Sequence, residues 1–219
     1  MIADRQSRGR GRRGRRWASP PGGNIYMSVV LRPGIRPRDS FLLTVAASSA
    51  AASAVRRLTG AGAGIKWPND IVAPSGRKLG GMLLETRAEA GRLLYCVLGV
   101  GLNVNARQED FPPEVRGLAT SIYMETGSRH SRPALAAAML DELDVRLGRL
   151  GGPEREGLME EWRALSATLG RRVRVTAEGG EGFAGQAEGL DGEGRLLVRT
   201  SGGELRAVAA GDVETLRPA

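Results

Sequence analysis

Two apolar runs, residues 78–86 and 93–104, separated by the polar stretch 87–92, constrain this chain more than anything else in it. Runs of strand length with so short a polar break read as adjacent buried strands paired in a hairpin. Both carry glycines: Gly80 and Gly81 near the start of the first, Gly99 and Gly101 near the end of the second. Glycine weakens a strand interior and marks a place where backbone or a ligand comes close. A single GxG more often means close packing, so the glycines alone assign no ligand.

The rest of the chain supplies partners for that hairpin. Residues 24–31 (NIYMSVVL) lie between Pro20-Pro21-Gly22-Gly23 and Pro33-Gly34 and read as a further strand. Residues 40–58 are Ala-rich and place Phe41, Val45, Ser49, Ala52, Val55 and Leu58 on one side of a helix, which the glycines of 60–64 stop. Pro133 occupies a first helical position, with Leu135, Met139, Leu143, Leu147 and Leu150 behind it, and residues 154–165 give another helix. After Leu169-Gly170 the texture changes to five short runs, at 172–176, 182–189, 195–200, 204–209 and 213–216, which predict a small β-barrel as a second domain.

A chain of 219 residues buries a substantial core, and its longest apolar runs fall far short of a bilayer span. The basic start is followed by Trp17-Ala18-Ser19-Pro20-Pro21, not by the apolar stretch of a secretory signal. The one cysteine, Cys96, lies in an apolar run and reads as an inert core thiol, excluding a disulfide framework and a multi-cysteine metal site. The compartment expected is the cytoplasm. His130 reads as a solvated side chain in a polar loop.

The formal net charge of +8 is concentrated: residues 1–16 carry +6 and the remainder only +2. A broad phosphate-binding face is therefore excluded. In residues 6–17 (QSRGRGRRGRRW) glycines at 9, 11 and 14 let the backbone approach a ligand while arginines offer forked donors to anionic oxygens. Two readings stand at this point: a disordered Arg-Gly nucleic-acid arm, or a loop that closes over an anion and orders only when it does. Among 32 cationic side chains only Lys66 and Lys78 are lysines. Lysine offers a compact end-on ammonium where arginine offers a planar fork, so these positions invite a chemical reason. Lys66-Trp67-Pro68-Asn69-Asp70 puts an amine, an amide and a carboxylate at a strand end, either as an Asx-capped turn or as a holder of hydrated Mg²⁺ and phosphate.

Taken together, GRGRRGRRW, KWPND, GRKLGGMLLE and GVGLNVN, followed by ATSIYMETG and the small barrel, resemble the bacterial biotin protein ligases, catalytic plus C-terminal domain. The resemblance covers essentially the whole chain. It implies an α+β fold, a mixed sheet flanked by helices of the class II aminoacyl-tRNA-synthetase-like kind over residues 1–167, then an SH3-like barrel over 168–219. It also implies a two-step reaction: biotin is activated by MgATP to biotinyl-AMP, then passed to a lysine of a biotin carboxyl carrier protein. Biotin contacts fall on Gln6, Arg10, Gly11, Arg12, Lys78, Gly81, Gly99 and Gly101, nucleotide contacts on Arg12, Trp17, Asn69, Asp70 and Asn103. Lys78, Asp70 and Arg12 become the catalytic group, with Asp70 serving Mg²⁺ or the incoming amine.

The family's Ser-Thr-Asn motif has no counterpart here, because the sequence begins at Met1 just before Asp4-Arg5-Gln6. The resemblance thus predicts an N-terminally truncated chain with an exposed sheet edge and weakened biotin binding. The repressor members' winged helix is likewise absent from it, so no DNA binding is expected; the resemblance admits a homodimer. The competing class, a nucleic-acid-binding protein using the Arg-Gly arm and the barrel, leaves KWPND and the two lysines unexplained. Residues 169–219 also carry a formal −1, which favours a barrel that assists the enzyme.

Overall fold

The computed structural model describes residues 1–176 and 182–216. Six strands, β1 (Ile2–Ala3), β2 (Ile25–Leu31), β3 (Gly64–Lys66), β4 (Asp70–Val72), β5 (Lys78–Glu89) and β6 (Arg92–Leu102), form one sheet in the order β1-β2-β6-β5-β4-β3. Every ladder in it is antiparallel. The parallel component of the expected mixed sheet is confined to two isolated bridges, Ile65 with Ser166 and Lys78 with Ala119.

The hairpin is longer than its apolar pattern. Pairing continues through Glu89 and Arg92, and Ala90 and Gly91 close it with φ of 47° and 74°. Backbone hydrogen bonds need no buried face to continue, and a two-residue turn with positive φ at both positions follows the strand twist. Period-two alternation then sorts the side chains. Met82, Leu98, Val100 and Leu102 enter the core, whereas Gly81 opposite Gly101 and Leu83 opposite Gly99 face the other way.

The core face is covered by α1 (Phe41–Thr59), with α3 (Arg132–Leu147) and α4 (Arg155–Leu165) packed on α1. Alanine gives α1 both high helix propensity and a flat surface, so Ala46, Ala50 and Ala54 approach the sheet and the other helices closely. Gly60, at φ 71°, ends the helix with its N–H on the Arg56 carbonyl. Leu58, expected on the packed side, is exposed together with Arg56 and Arg57, because the last turn has left the layer. A short helix, α2 (Ile122–Thr126), is capped by Ser121 and packs Ile122 into the core. His130 is held rather than solvated: its main chain exchanges hydrogen bonds with the Asn105 side chain, both 2.9 Å, and its ring lies 3.0 Å from Thr126 Oγ1.

The second sheet contains β7 (Arg172–Thr176), β8 (Gly182–Leu190), β9 (Leu196–Thr200), β10 (Leu205–Val208) and β11 (Asp212–Thr215), in the order β10-β9-β8-β7-β11. Val173, Val175, Ala187, Leu196 and Val198 alternate inward and belong to the same contiguous core as α1 and the first sheet. Of the charges counted for this part, Glu178, Glu181 and Arg217 lie outside the described residues.

The two parts are also joined by polar groups. Asp39, buried before α1, accepts from Arg36 Nε at 2.8 Å and from Arg155 at 3.3 Å, and Arg155 donates in turn to the Gly192 carbonyl. The hydrogen bond from Arg36 holds the Asp39 carboxyl below its ordinary value against the opposing effect of burial. A depressed carboxyl contributes stability above its unfolded value and loses it as pH falls through the folded value. Asp39→Asn is therefore expected to lower Tm by roughly 2–6 °C at pH 7, with the gap to the parent closing below about pH 4; a gap that persists in acid would refute the ion-pair account.

Candidate functional site

The face turned away from the helices brings most of the candidate residues together. Gly81, Gly99 and Gly101 make a patch of bare backbone, and Gly101 is where the freedom from a side chain is used: a Cβ there would lie 2.5 Å from the Trp17 ring. Trp17 thus lies directly on the glycine floor, its buried Nε1 without a partner. Lys78 Nζ is 5.4 Å from the centre of the same ring and 2.6 Å from Asp70 Oδ1. β4 and β5 position this pair, since Asp70 stands opposite Gly81 and the missing side chain leaves room for the ammonium.

Asn69, in the turn between β3 and β4, donates through Nδ2 to the Met82 carbonyl and accepts at Oδ1 from Arg12 at 3.1 Å. Its orientation is thereby fixed, with the oxygen presented to the loop. Trp67 anchors the same turn below: its N–H donates to Thr168 Oγ1 at 2.9 Å and its indole N–H to the Gly194 carbonyl at 3.1 Å.

The Arg-Gly segment folds back on itself. Trp17 N–H donates to the Gly9 carbonyl, 2.9 Å, and Gly11 N–H to the Arg15 carbonyl, 2.7 Å, while a single 3-10 turn, Arg12–Gly14, makes the tip. Like charges oppose such a fold, and carboxylates far away in sequence offset them: Glu85 binds Arg10 at 2.7 Å, and Asp212 of the barrel binds both Arg13 and Arg15. Among the described residues Arg12 has no carboxylate partner in contact. Burial, and then the neighbouring Arg13, pull its guanidinium below its ordinary value, opposed by Asp70 and Asp212. Gln6 sits at the loop base, accepting from Ser19 Oγ at 2.8 Å. Between residues 7–16 of the loop and Leu83 and Glu85 of β5 lies a cavity of about 670 Å³, inside the range of roughly 300–1,000 Å³ of small-molecule sites.

The structure therefore brings Arg12, Trp17, Asn69, Asp70, Lys78, Gly81 and Gly101 together through a chain of contacts on one face of the sheet, with Arg12 and Gly11 also lining the loop cavity and Gly99 further along the floor. Asn103 does not join them: it is buried, with Nδ2 donating to the Thr120 carbonyl at 3.0 Å, and it fastens α2 beneath Lys78. Cys96 is buried, and desolvation pushes its thiol up, as an inert core group requires. The sequence reading missed Glu85 and Asp212, which only their approach to the loop makes visible. Among the described residues no group of three or more His, Cys, Asp or Glu side chains could hold a metal, and Asp70 is already bonded to Lys78. A divalent cation would have to arrive with its own ligands, as the Mg²⁺ of MgATP does.

A glycine floor, two cations and a foldable loop suit a ring-bearing anion, and fold and site together define a member of the Biotin/lipoate A/B protein ligase family, whose profile matches residues 1–103. Residues 168–216 match the Biotin protein ligase C terminal domain. The chain is 38% identical to the biotin–[acetyl-CoA-carboxylase] ligase of Mycobacterium tuberculosis over 99% of this chain and 79% of that protein. It is 33% identical to the bifunctional ligase/repressor BirA of Bacillus subtilis, covering 98% of this chain but 65% of the relative's length. The biotin protein ligase of Aquifex aeolicus in complex with biotin and ATP superimposes with a TM-score of 0.82 at 27% identity, over 99% of this chain and 88% of that one. The chain belongs to the biotin protein ligase family. No helix among the described residues is long and apolar enough to cross a membrane.

Gly101→Ala is expected to drive the Trp17 ring off the floor, because the added methyl cannot share its space. Tryptophan emission should shift to the red in this variant and not in Gly101→Ala/Trp17→Phe; an unshifted spectrum would mean that the ring does not rest there.

Proposed function

We propose that this chain activates biotin with MgATP and transfers the biotinyl group to a lysine of a biotin carboxyl carrier domain, in the cytoplasm. In the first step a carboxylate oxygen of biotin forms a bond to the α-phosphorus and the bond to pyrophosphate breaks. In the second the lysine amine attacks the acyl carbon, AMP leaves with the bonding pair, and the amine loses a proton. What carries this reading is the Lys78–Asp70 pair, 2.6 Å apart at the edge of a glycine floor and beneath a loop that directs Arg12 to Asn69. The Aquifex relative binds biotin and ATP, and the Mycobacterium relative is named as the ligase of acetyl-CoA carboxylase.

In this reading the Trp17 ring moves off Gly101 and the bicyclic ring of biotin takes its place on Gly81, Gly99 and Gly101 under Gln6, Arg10 and Gly11, with its carboxylate at Lys78. Two anions approaching each other need fixed cations that oppose the charge building at the α-phosphate, and the compact ammonium of Lys78 fits between them. Arg12 and Asn69 hold the phosphate side, Trp17 closes over the ligand, and Asp70, released by Lys78, receives the incoming ammonium. Magnesium enters as part of the nucleotide substrate and supplies charge neutralisation there. The nucleic-acid reading loses its basis, because Arg10, Arg13 and Arg15 are turned onto carboxylates and Arg12 onto an amide.

Biotin-dependent exchange of pyrophosphate into ATP, together with labelling of a carrier domain, tests the proposal; pyrophosphate exchange that ignores biotin would sink it. Lys78→Arg should lower the exchange rate by about 10²–10³-fold despite unchanged charge, as loss of one aimed electrostatic contact does. Wild-type exchange in this variant would remove Lys78 from the reaction. Arg12→Gly should release biotinyl-AMP early and label lysines of bystander proteins, whereas retention equal to the parent's would show that Arg12 does not hold the adenylate.

A further inference from the structure

The loop from Gln6 to Trp17 is held at two points by two carboxylates from different sheets, and the arginine between those points touches no carboxylate among the described residues. Glu85 of β5 takes Arg10. Asp212, the first residue of β11 in the barrel, takes Arg13 at 3.2 Å and Arg15 more closely through the same oxygen, across 199 and 197 residues of chain. Arg12 lies between these anchored residues and reaches the uncharged Asn69. Its place is set by theirs: the Arg15 N–H donates to the Arg12 carbonyl at 3.1 Å, and Arg13 adopts φ 55° beside it.

Such a turn would be opposed by the repulsion of three guanidinium groups within four residues unless a counter-charge were present. Asp212 supplies it in direct contact to Arg13 and Arg15 and only at longer range to Arg12. The pair with Arg13 is the more sheltered, its side chains 25% and 35% exposed, while Arg15 is 66% exposed. One exposed ion pair contributes little, but two guanidinium forks on one partly buried carboxylate make charge-assisted bonds of the stronger kind.

We infer that Asp212 is a positioning residue of the barrel: by binding Arg13 and Arg15 it folds the loop tip so that Arg12 is directed to Asn69 instead of to a carboxylate. The inference rests on the proposed ligase reading for its consequence, adenylate retention, but the contact itself is testable without any ligand. It gives the second sheet a definite part in the work of the first. It also predicts the ionic-strength dependence of the site, since salt weakens a latch of partly exposed charges.

The experiment compares the full-length parent, Asp212→Asn, Asp212→Glu and, as a control on the same strand, the exposed Glu214→Gln. Two readouts are taken beside Tm. One is the rate of trypsin cleavage within residues 6–17 in the absence of ligand, where every arginine is a potential cut site. The other is the half-life of bound biotinyl-AMP at low and high salt. Asp212→Asn is expected to speed loop cleavage and shorten retention, each by about tenfold, and to abolish the salt dependence that the parent shows. Asp212→Glu should recover most of both, and Glu214→Gln should match the parent. Parent-like cleavage in Asp212→Asn, or equal changes in Glu214→Gln, would overturn the latch. Faster cleavage with unchanged retention would leave the contact but refute its positioning role. A parent that forms no biotinyl-AMP refutes the ligase reading and with it that role, and the cleavage comparison still decides whether Asp212 holds the loop.

Discussion

The position of the reactive turn depends on the burial of Trp67. A fully enclosed tryptophan, hydrogen-bonded once through its main chain and once through its ring, has one place to go: its backbone N–H meets Thr168, its ring N–H meets the Gly194 carbonyl, and its ring packs 6.2 Å from that of Phe41. Gly194 has φ 82°, and a side chain there would collide with Phe41, so the barrel turn fits against α1 only as glycine. Asn69 and Asp70 follow Trp67 by two and three residues and inherit its fixity. A buried tryptophan anchor thus does for the site what a flexible turn could not: it holds the Asn69 and Asp70 oxygens already aimed at Arg12 and Lys78 before any ligand arrives. The same contact explains why the two sheets share one hydrophobic cluster instead of being tethered by a linker.

Much of this was legible in the sequence because it is local. The hairpin of β5 and β6, the Ala-rich α1 and the five barrel strands each carry their own period, and the structure places them within a few residues of that reading. The rarity of lysine pointed to Lys78, which does reach the cleft; Lys66, marked by the same rarity, stands opposite Asp70 in the β3–β4 ladder and makes no ion pair among the described residues. What could not be read was everything that depends on long separations. Glu85 and Asp212 look like ordinary surface carboxylates until the fold brings them to the loop, so an arginine segment that reads as self-repelling is a closed hairpin. Asn103 differs for the opposite reason: an amide beside glycines at a strand end looks like a ligand contact, but buried polar groups must find partners, and in the free protein the Thr120 carbonyl ahead of α2 supplies one.

The partners of the two central cations in the free protein differ, and the difference bears on the proposed chemistry. Lys78 is already matched by a full negative charge at 2.6 Å. A substrate oxygen that replaces Asp70 exchanges one ion pair for another, so ground-state binding gains little from it, and the ammonium's advantage is kept for the moment when charge gathers at the phosphorus. Arg12 is matched only by the oxygen of an amide, although it is part-buried and crowded by Arg13. A partly desolvated guanidinium whose counter-charges, Asp70 and Asp212, act only from a distance is the less stable arrangement, and an anionic ligand in contact relieves it. Binding strength on the proposed reaction therefore comes mainly from Arg12, rate mainly from Lys78. The apportionment follows from the neighbours: Asp70 sits beside the lysine because Gly81 leaves it room, and Asp212 takes Arg13 and Arg15, which follow Arg12 in the chain, while Arg12 touches no carboxylate among the described residues.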